Sequence, residues 1–314
     1  MTIFLILLLA FGMVVLFVGG YTFFASCIRK QELQWLDPIA LQKTSYGKFY
    51  DHISAADRWL QQHHARDVSV TSEDGLTLRG LWVPAEAPRG TMLLVHGYRS
   101  CYLADFGPAL DFYHNMGMNI LLPSQRSHGR SEGKYITFGV KESRDMLRWI
   151  DFHNRSFGAF PMLLSGLSMG ASTVMYMANE NVPENVKGII ADCGFTSPAA
   201  IISAVFKRRM HLPAGVAIWT ADLFARVFAG FSFYEKDSHK TLQDSKLPIL
   251  MVHGTEDTFV PCQMTIEAYG QCTSKKQLLL IDGATHGVSF MHDKKRYTAA
   301  IIDFLNTNIP EKEK

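Results

Sequence analysis

The sequence lacks the patterns that would assign a cofactor or a metal directly. It contains no G-x-G-x-x-G, no P-loop and no H-E-x-x-H, so nothing in it predicts a bound dinucleotide, a nucleotide phosphate or a catalytic zinc ion. Its five cysteines are odd in number and include no C-x-x-C pair, which argues against a disulfide framework and a structural zinc site. We therefore predict no cofactor and no metal, and interpret the adjacent His63 and His64 as a solvated helix face.

An excess of charge of either sign is also missing. The 314 residues hold 31 Lys and Arg against 29 Asp and Glu, a net charge of +2, and these charges are scattered. This pattern argues against nucleic acid as a partner. The one basic run, "KRRM" at 207–210, is interpreted as a polar helix face, with contact to anionic lipid headgroups or acidic substrates as the alternative.

Charge is wholly absent from the 26 residues between Ile3 and Ile28. As a helix this stretch reaches about 39 Å, more than the hydrocarbon thickness of a bilayer, and we predict a transmembrane anchor over 3–28. A cleaved signal peptide is the alternative, but no Lys or Arg precedes the run, which also exceeds the usual length and lacks an A-x-A site. "FASC" faintly resembles a lipoprotein cleavage site, with Cys27 as the lipidated residue.

The side of the membrane follows only weakly from the flanking charges. Basic residues follow the apolar segment and none precedes it, so the positive-inside rule favours a cytoplasmic catalytic domain. The residues concerned are Arg29, Lys30, Lys43 and Lys48. The unpaired cysteines agree with this side, and the side stays open.

The remaining chain divides into a linker with a surface helix at 29–67 and a domain at 68–310. Around Asp74-Gly75 the residues alternate between apolar and polar, which predicts a β-hairpin. Short apolar runs then alternate with helical patterns, as expected for a mostly parallel, doubly wound α/β sheet. The runs are 91–97, 118–124, 162–166, 186–194, 248–254 and 277–283. More than 50 residues separate the fourth run from the fifth, which predicts a helical cap inserted at about 196–245.

Ser168 follows one of these runs within the sequence "GLSMG". A strand, a tight turn and a helix-forming stretch are the setting that a nucleophile elbow requires. Gly166 and Gly170 lack a Cβ atom, which lets the strand and the helix approach and the turn adopt strained dihedral angles. We predict that Ser168 is a nucleophile.

A serine hydroxyl needs a general base, and the base needs an orienting group. His286 and Asp257 lie in the loops that follow the last two runs, and the order Ser, Asp, His is typical of α/β-hydrolases. Asp192 is the rival acid, interpreted as a residue that caps or orients the next turn, and Glu256 as a solvated neighbour. The predicted triad is therefore Ser168, Asp257 and His286.

An oxyanion formed at Ser168 would also need hydrogen-bond donors. The backbone N–H of Met169, at the start of the helix, is one candidate. The turn "LVHGYRS" after the first run offers a second, and we predict the N–H of Tyr98.

Together, "LVHGY", "SQRSHGRSEG", "GLSMG", "HGTEDTFVP" and "GATHG" resemble the α/β-hydrolase superfamily, in particular its membrane-anchored Bem46-like and serine aminopeptidase-like branch. The similarity spans about 68–305, and it implies a Ser-Asp-His esterase mechanism without a cofactor. Relatives often carry an acid where this chain has Ser124, which places the geometry of that loop in question.

These features predict a membrane-anchored serine hydrolase that acts on acyl or lipid-like esters, with the bilayer and a small ester as partners. A serine aminopeptidase is the enzymatic alternative, although residues 195–234 hold only one carboxylate, Asp222, to grip a free amine. A catalytically silent binding module is the alternative from another class. The sequence fixes neither the physiological substrate nor the oligomeric state.

Overall fold

A computed structural model describes residues 1–29, 50–211 and 214–310. The linker predicted between residue 30 and the surface helix, and with it Lys30, Lys43 and Lys48, lies outside the described residues.

Eight strands form one twisted sheet in the order β1-β2-β4-β3-β5-β6-β7-β8. The first pair is the antiparallel hairpin predicted around Asp74-Gly75, β2 also pairs antiparallel with β4, and all other pairs are parallel. The strands are β1 (Arg66–Thr71), β2 (Thr77–Val83), β3 (Gly90–Val95), β4 (Met118–Pro123), β5 (Met162–Leu167), β6 (Val186–Asp192), β7 (Ile249–Gly254) and β8 (Lys276–Ile281). Each predicted apolar run contains most of one strand, because strands covered on both faces need continuous apolar residues.

Helices precede, connect and follow the strands. They are α1 (Thr2–Cys27), α2 (Tyr50–Gln62), α3 (Tyr102–Phe106), α4 (Leu110–Asn115), α5 (Val140–Ser156), α6 (Met169–Tyr176), α7 (Pro198–Met210), α8 (Gly215–Phe224), α9 (Ser238–Gln243), α10 (Cys262–Gln271), α11 (Ser289–His292) and α12 (Lys294–Asn308). A 3-10 turn at Gly107–Ala109 joins α3 to α4, and a π-helical turn at Ala225–Ala229 continues α8.

Two apolar cores cover the two faces of the sheet. Ile53 of α2, Tyr113 of α4 and Phe304 of α12 belong to one core, and Trp149 of α5 and Val174 of α6 belong to the other. Both cores consist mainly of sheet residues and the helices packed on them, as a doubly wound α/β fold requires. The predicted fold class is confirmed.

The long segment between β6 and β7 contains α7, α8 and α9. Helix α9 packs against α6 and α10 in the body of the domain, whereas α8 packs chiefly against the N-terminal helix α1. A third apolar cluster joins these elements and includes Phe23 of α1, Ile201 of α7 and Ile218 of α8. In the described part of this segment, α7 and α8 thus pack with each other and with α1.

Helix α1 is long and apolar enough to cross a membrane. Its side chains are largely exposed as far as Phe17, whereas its last third packs against the domain. Cys27 is buried in the third apolar cluster and its carbonyl accepts a hydrogen bond of 2.7 Å from the N–H of Ile136. Because the thiol is buried, a lipid on it would require this apolar cluster to open.

Candidate active site

Ser168 sits in a strained turn between β5 and α6, with φ of 56° and ψ of −116°. The turn needs glycine on both sides. A Cβ atom at Gly166 would lie 2.2 Å from the carbonyl of Gly170, and one at Gly170 would lie 1.8 Å from the carbonyl of Val95. Close approach of the helix to two strands therefore explains both glycines, and the strain is of the kind that functional turns retain.

The three side chains predicted as a triad form one hydrogen-bonded chain. Nε2 of His286 lies 2.9 Å from Oγ of Ser168, and Nδ1 of His286 lies 2.6 Å from Oδ2 of Asp257. Because an ionised carboxylate only accepts, the proton of the neutral ring is on Nδ1, and Nε2 accepts from the serine hydroxyl. The arrangement has the nucleophile–base–orienter geometry of acyl-transfer enzymes.

Asp257 is held in its ionised form by its surroundings. Its Oδ1 accepts the N–H groups of Phe259 and Val260 at 2.8 and 2.9 Å, and its Oδ2 also lies 3.2 Å from Nε2 of the buried His253. Burial opposes ionisation, but the hydrogen bonds from His253 and His286 outweigh it and lower the pKa of Asp257 well below its ordinary value. Sequence reasoning missed His253, which stands in β7 like any other strand residue.

Within the described residues, the rival acid Asp192 forms no hydrogen bond with the imidazole ring of His286. Its Oδ1 accepts a hydrogen bond of 3.2 Å from Ser289, and its backbone carbonyl accepts the N–H of Ser168 at 2.8 Å. Burial raises the pKa of Asp192 to about 6. Asp192 thus supports both the elbow and the segment after His286, while Glu256 is exposed.

The turn after β3 carries the predicted oxyanion donor Tyr98. Within the described residues, neither the N–H of Tyr98 nor the N–H of Met169 donates a hydrogen bond to a protein acceptor outside its own helix. The turn is pinned by Asp105, whose carboxylate accepts the N–H of Gly97 and the hydroxyl of Ser100, each at 2.6 Å. Burial raises the pKa of Asp105 to about 6. No sequence signal distinguished this aspartate.

The same turn is tied to the end of α1. The hydroxyl of Tyr98 donates to the carbonyl of Ser26 at 2.7 Å, and the guanidinium of Arg99 donates to the carbonyl of Ala25 at 2.8 Å. The apolar helix and the predicted oxyanion turn are therefore in direct contact.

The loop that carries Ser124 is ordered without an acid at that position. The guanidinium of Arg126 binds Asp145 at 2.7 Å and Asp74 at 2.8 Å, and only 5% of the Arg126 side chain is exposed. Ser131 donates to the carbonyl of Ser124 at 2.6 Å. This ion-pair network joins three distant segments, which is why the sequence alone does not reveal it.

One group in the described residues has the composition of a metal site. Cys193, Asp257 and His286 each offer a ligand atom, and these atoms lie within 4.8 Å of one another. The carboxylate and imidazole atoms are already hydrogen-bonded to each other and to Ser168, and burial raises the pKa of the Cys193 thiol.

A buried apolar cluster adjoins the elbow through Met169, the residue after Ser168. Met169, Phe138, Phe195 and Val260 belong to the third apolar cluster, which continues to Phe23 of α1. The ring of Phe259 packs against His286 at a centroid distance of 5.0 Å.

The sheet order and the elbow define an α/β hydrolase. Residues 129–311 match the family model described as the prolyl oligopeptidase family, and the chain belongs to this family. The protein bem46 of Schizosaccharomyces pombe is similar to it, with 26% identity over 77% of this chain and 76% of the relative. The predicted resemblance to Bem46-like α/β-hydrolases is confirmed.

Two further relatives are similar in sequence, and one solved structure is similar in fold. The uncharacterized protein YqkD of Bacillus subtilis is 23% identical over 76% of this chain and 78% of its own length. The uncharacterized membrane protein YNL320W of Saccharomyces cerevisiae is 25% identical over 62% of this chain and 63% of its own. The esterase Pf2001 of Pyrococcus furiosus superposes with a TM-score of 0.65 at 22% identity, covering 80% of this chain and 93% of the esterase.

Proposed function

We propose that this hydrolase is a membrane-anchored serine esterase with an acyl-enzyme intermediate. The observation that carries the proposal is the continuous chain of hydrogen bonds from Ser168 through His286 to Asp257, at a strained elbow. This geometry also argues against a catalytically silent binding module, since such a module has no need for an aligned base behind the serine.

In the proposed reaction, Oγ of Ser168 attacks the ester carbonyl while Nε2 of His286 takes the hydroxyl proton. The tetrahedral oxyanion accepts hydrogen bonds from the N–H groups of Tyr98 and Met169. Each such donor typically lowers the activation free energy by about 3 kcal/mol. His286 then protonates the leaving alcohol, the carbon–oxygen bond to it breaks, and an acyl-Ser168 ester remains. A water molecule, deprotonated by His286, releases the carboxylic acid.

The proposed substrate is an ester with an apolar acyl chain. The apolar cluster around Met169 and Phe138 favours hydrocarbon over charged groups. The serine aminopeptidase alternative requires a carboxylate that binds the free amine of a peptide. Asp222 does not serve this purpose, because it is buried and binds Arg226 at 2.8 Å and the N–H of Phe233 at 2.6 Å.

We further propose that α1 is retained as the anchor. A cleaved signal peptide has no need of a fitted contact with the mature domain. The last third of α1 has such contacts, including the ring of Phe23 against Phe228 at 6.3 Å and the bond from Tyr98 to Ser26. A side of the membrane is not proposed.

The direct test is covalent labelling of the full-length protein with a fluorophosphonate probe. We expect wild type and the Ser203→Ala control in α7 to label, and Ser168→Ala not to label. Hydrolysis of p-nitrophenyl esters of increasing chain length, compared with aminoacyl p-nitroanilides, then separates esterase from peptidase. Absence of labelling in wild type, with a control hydrolase labelled under the same conditions, would refute the catalytic proposal.

A further inference from the structure

Helix α8 carries an apolar stripe on its outer face. Val216, Trp219, Leu223 and Val227 follow one another at helical spacing, and they are between 47% and 69% exposed. The adjacent Phe228 is also half exposed. Single exposed apolar residues are common on protein surfaces, but they are scattered and do not align along one helix. A contiguous exposed apolar face of this kind therefore marks an interaction surface.

The opposite face of α8 is packed against α1 through small residues. A Cβ atom at Gly19 would lie 2.3 Å from Oγ1 of Thr220, and one at Gly20 would lie 3.2 Å from the ring of Phe224. Ala217 and Ala221 of α8 are buried. Close backbone approach through Gly, Ala and Thr is typical of helix pairs in membranes, where small residues replace the hydrophobic driving force.

The two helices run in parallel. Gly19 contacts Thr220, Gly20 contacts Phe224, and Phe24 contacts Phe228 further along both helices. The start of α8 therefore lies beside the part of α1 that leads away from the domain. Residues 215–221 of α8 hold no charged residue, so this end is the more apolar one.

The length of α1 sets the depth at which the pair lies. The helix before Gly19 reaches about 26 Å, somewhat less than the roughly 30 Å of a hydrocarbon core. If that part spans the bilayer, Gly19 and the neighbouring turn of α8 lie at the edge of the hydrocarbon. Lys207 and Arg209, at the end of α7, are exposed just before α8, as is typical of interfacial segments that border anionic headgroups.

We propose that the lipid bilayer covers the outer face of α8, so that α8 is a second membrane-embedded element beside α1. The inference rests on the proposed anchoring by α1 and deepens it. It places α8 in the same leaflet of the bilayer as the part of α1 around Gly19. The occupant is the acyl-chain region of the lipids, because the stripe is continuous with the apolar surface of α1.

This placement brings the mouth of the site to the lipid surface. Arg208, next to the exposed basic residues, donates to the carbonyl of Thr258 and lies over the ring of Phe259. Phe259 in turn packs against His286. A lipid-like ester therefore has a short route from the bilayer, past the cap, to Ser168.

The test uses the tryptophan fluorescence of the full-length protein in phosphatidylcholine vesicles, with and without dibrominated acyl chains. Bromine quenches only fluorophores within the hydrocarbon. We expect wild type to show bromine-dependent quenching and Trp219→Phe to lose part of it. The control Trp59→Phe, on α2, should retain the full effect. Equal bromine-dependent quenching in wild type and Trp219→Phe would overturn the proposal.

A second variant covers the case in which Trp219→Phe folds poorly. Leu223→Trp adds a fluorophore to the same stripe without removing the original one, and we expect it to increase the bromine-dependent quenching. No increase would contradict insertion of α8. The quenching does not depend on activity. If the protein is quenched but not labelled by fluorophosphonate, the membrane contact of α8 is supported and the esterase proposal is refuted.

Discussion

Oδ2 of Asp257 lies 2.6 Å from Nδ1 of His286, whereas Asp192, at the end of the neighbouring strand, binds Ser289 instead. The two carboxylates were rivals in the sequence, and the geometry gives them different partners. Only Asp257 is in a position to hold the imidazole ring of His286 in the tautomer whose Nε2 accepts the hydrogen bond from Ser168.

We expect Asp257→Asn to lower kcat for p-nitrophenyl esters by about four orders of magnitude, since an amide at this position favours the wrong tautomer of the ring. Asp192→Asn, the matched control, should retain turnover to within about tenfold because it leaves the Asp257–His286 bond intact. Steady-state kinetics on both variants check this. Turnover lost in Asp192→Asn and kept in Asp257→Asn would reverse the assignment.

Asp105 should make stability depend on pH in the mildly acidic range. Its folded pKa is about 6 against an ordinary value of 3.8, so ionisation disfavours the folded state. Its contribution to the free energy of unfolding is therefore largest below about pH 4 and falls by up to about 3 kcal/mol as the pH rises to about 6.

The measurement compares urea unfolding of wild type and Asp105→Asn across this range. The free energy of unfolding of wild type, relative to the variant, should decrease between about pH 4 and pH 6 and stay constant above it. A difference that is independent of pH would show that Asp105 ionises as it does in the unfolded chain.

Gly19→Ala tests the contact between α1 and α8. The new Cβ atom would lie 2.5 Å from Cβ of Thr220 and 2.9 Å from its backbone carbon, whereas a Cβ atom at Gly12 meets nothing within 4 Å. We expect Gly19→Ala to destabilise the packed helices by about 1–3 kcal/mol. The control Gly12→Ala should be neutral or slightly stabilising.

Thermal unfolding of the full-length variants in detergent micelles gives the comparison. A melting temperature of Gly19→Ala equal to that of Gly12→Ala would mean that α1 is not packed on α8 under those conditions.

Arg126→Met should be strongly destabilising because it leaves the buried Asp145 without its cation. Breaking a buried pair in this way typically costs about 3–5 kcal/mol. The control is Arg130→Met, whose pair with Asp67 is about two-thirds exposed on both sides and is worth about 1 kcal/mol or less. Urea midpoints of the two variants should differ clearly, and similar midpoints would contradict a structural role for the Arg126 network.

Much of the sheet and the predicted triad could be derived from local sequence. The buried strands are continuous apolar runs, and Gly166 and Gly170 mark a turn whose geometry excludes a Cβ atom. Asp105, His253 and the partners of Arg126 could not be found in this way. Each acts through a residue brought near by the fold, and nothing in the adjacent sequence distinguishes Asp105 from Asp111 or His253 from His239.

The helices between β6 and β7 were also predicted only in part. The length of this segment predicts a helical insertion, but it does not predict that α1 packs against α8. Helical spacing places Val216, Trp219, Leu223 and Val227 on one face, and such a stripe equally describes a helix packed on a protein core. That α1 occupies the other face depends on an approach between residues about 200 positions apart, which no local pattern encodes.

The bond from Tyr98 to Ser26 has a practical consequence for anyone who purifies this hydrolase. A shortened version that begins after α1, chosen for solubility, would lose the carbonyl acceptor of Ser26 and the ring of Phe23 that packs against α8 and the turn after it. The turn carrying the Tyr98 N–H would then be held by Asp105 without the support of α1. Catalytic constants from such a fragment would describe a site without these contacts, so substrate screening belongs with the intact chain in lipid.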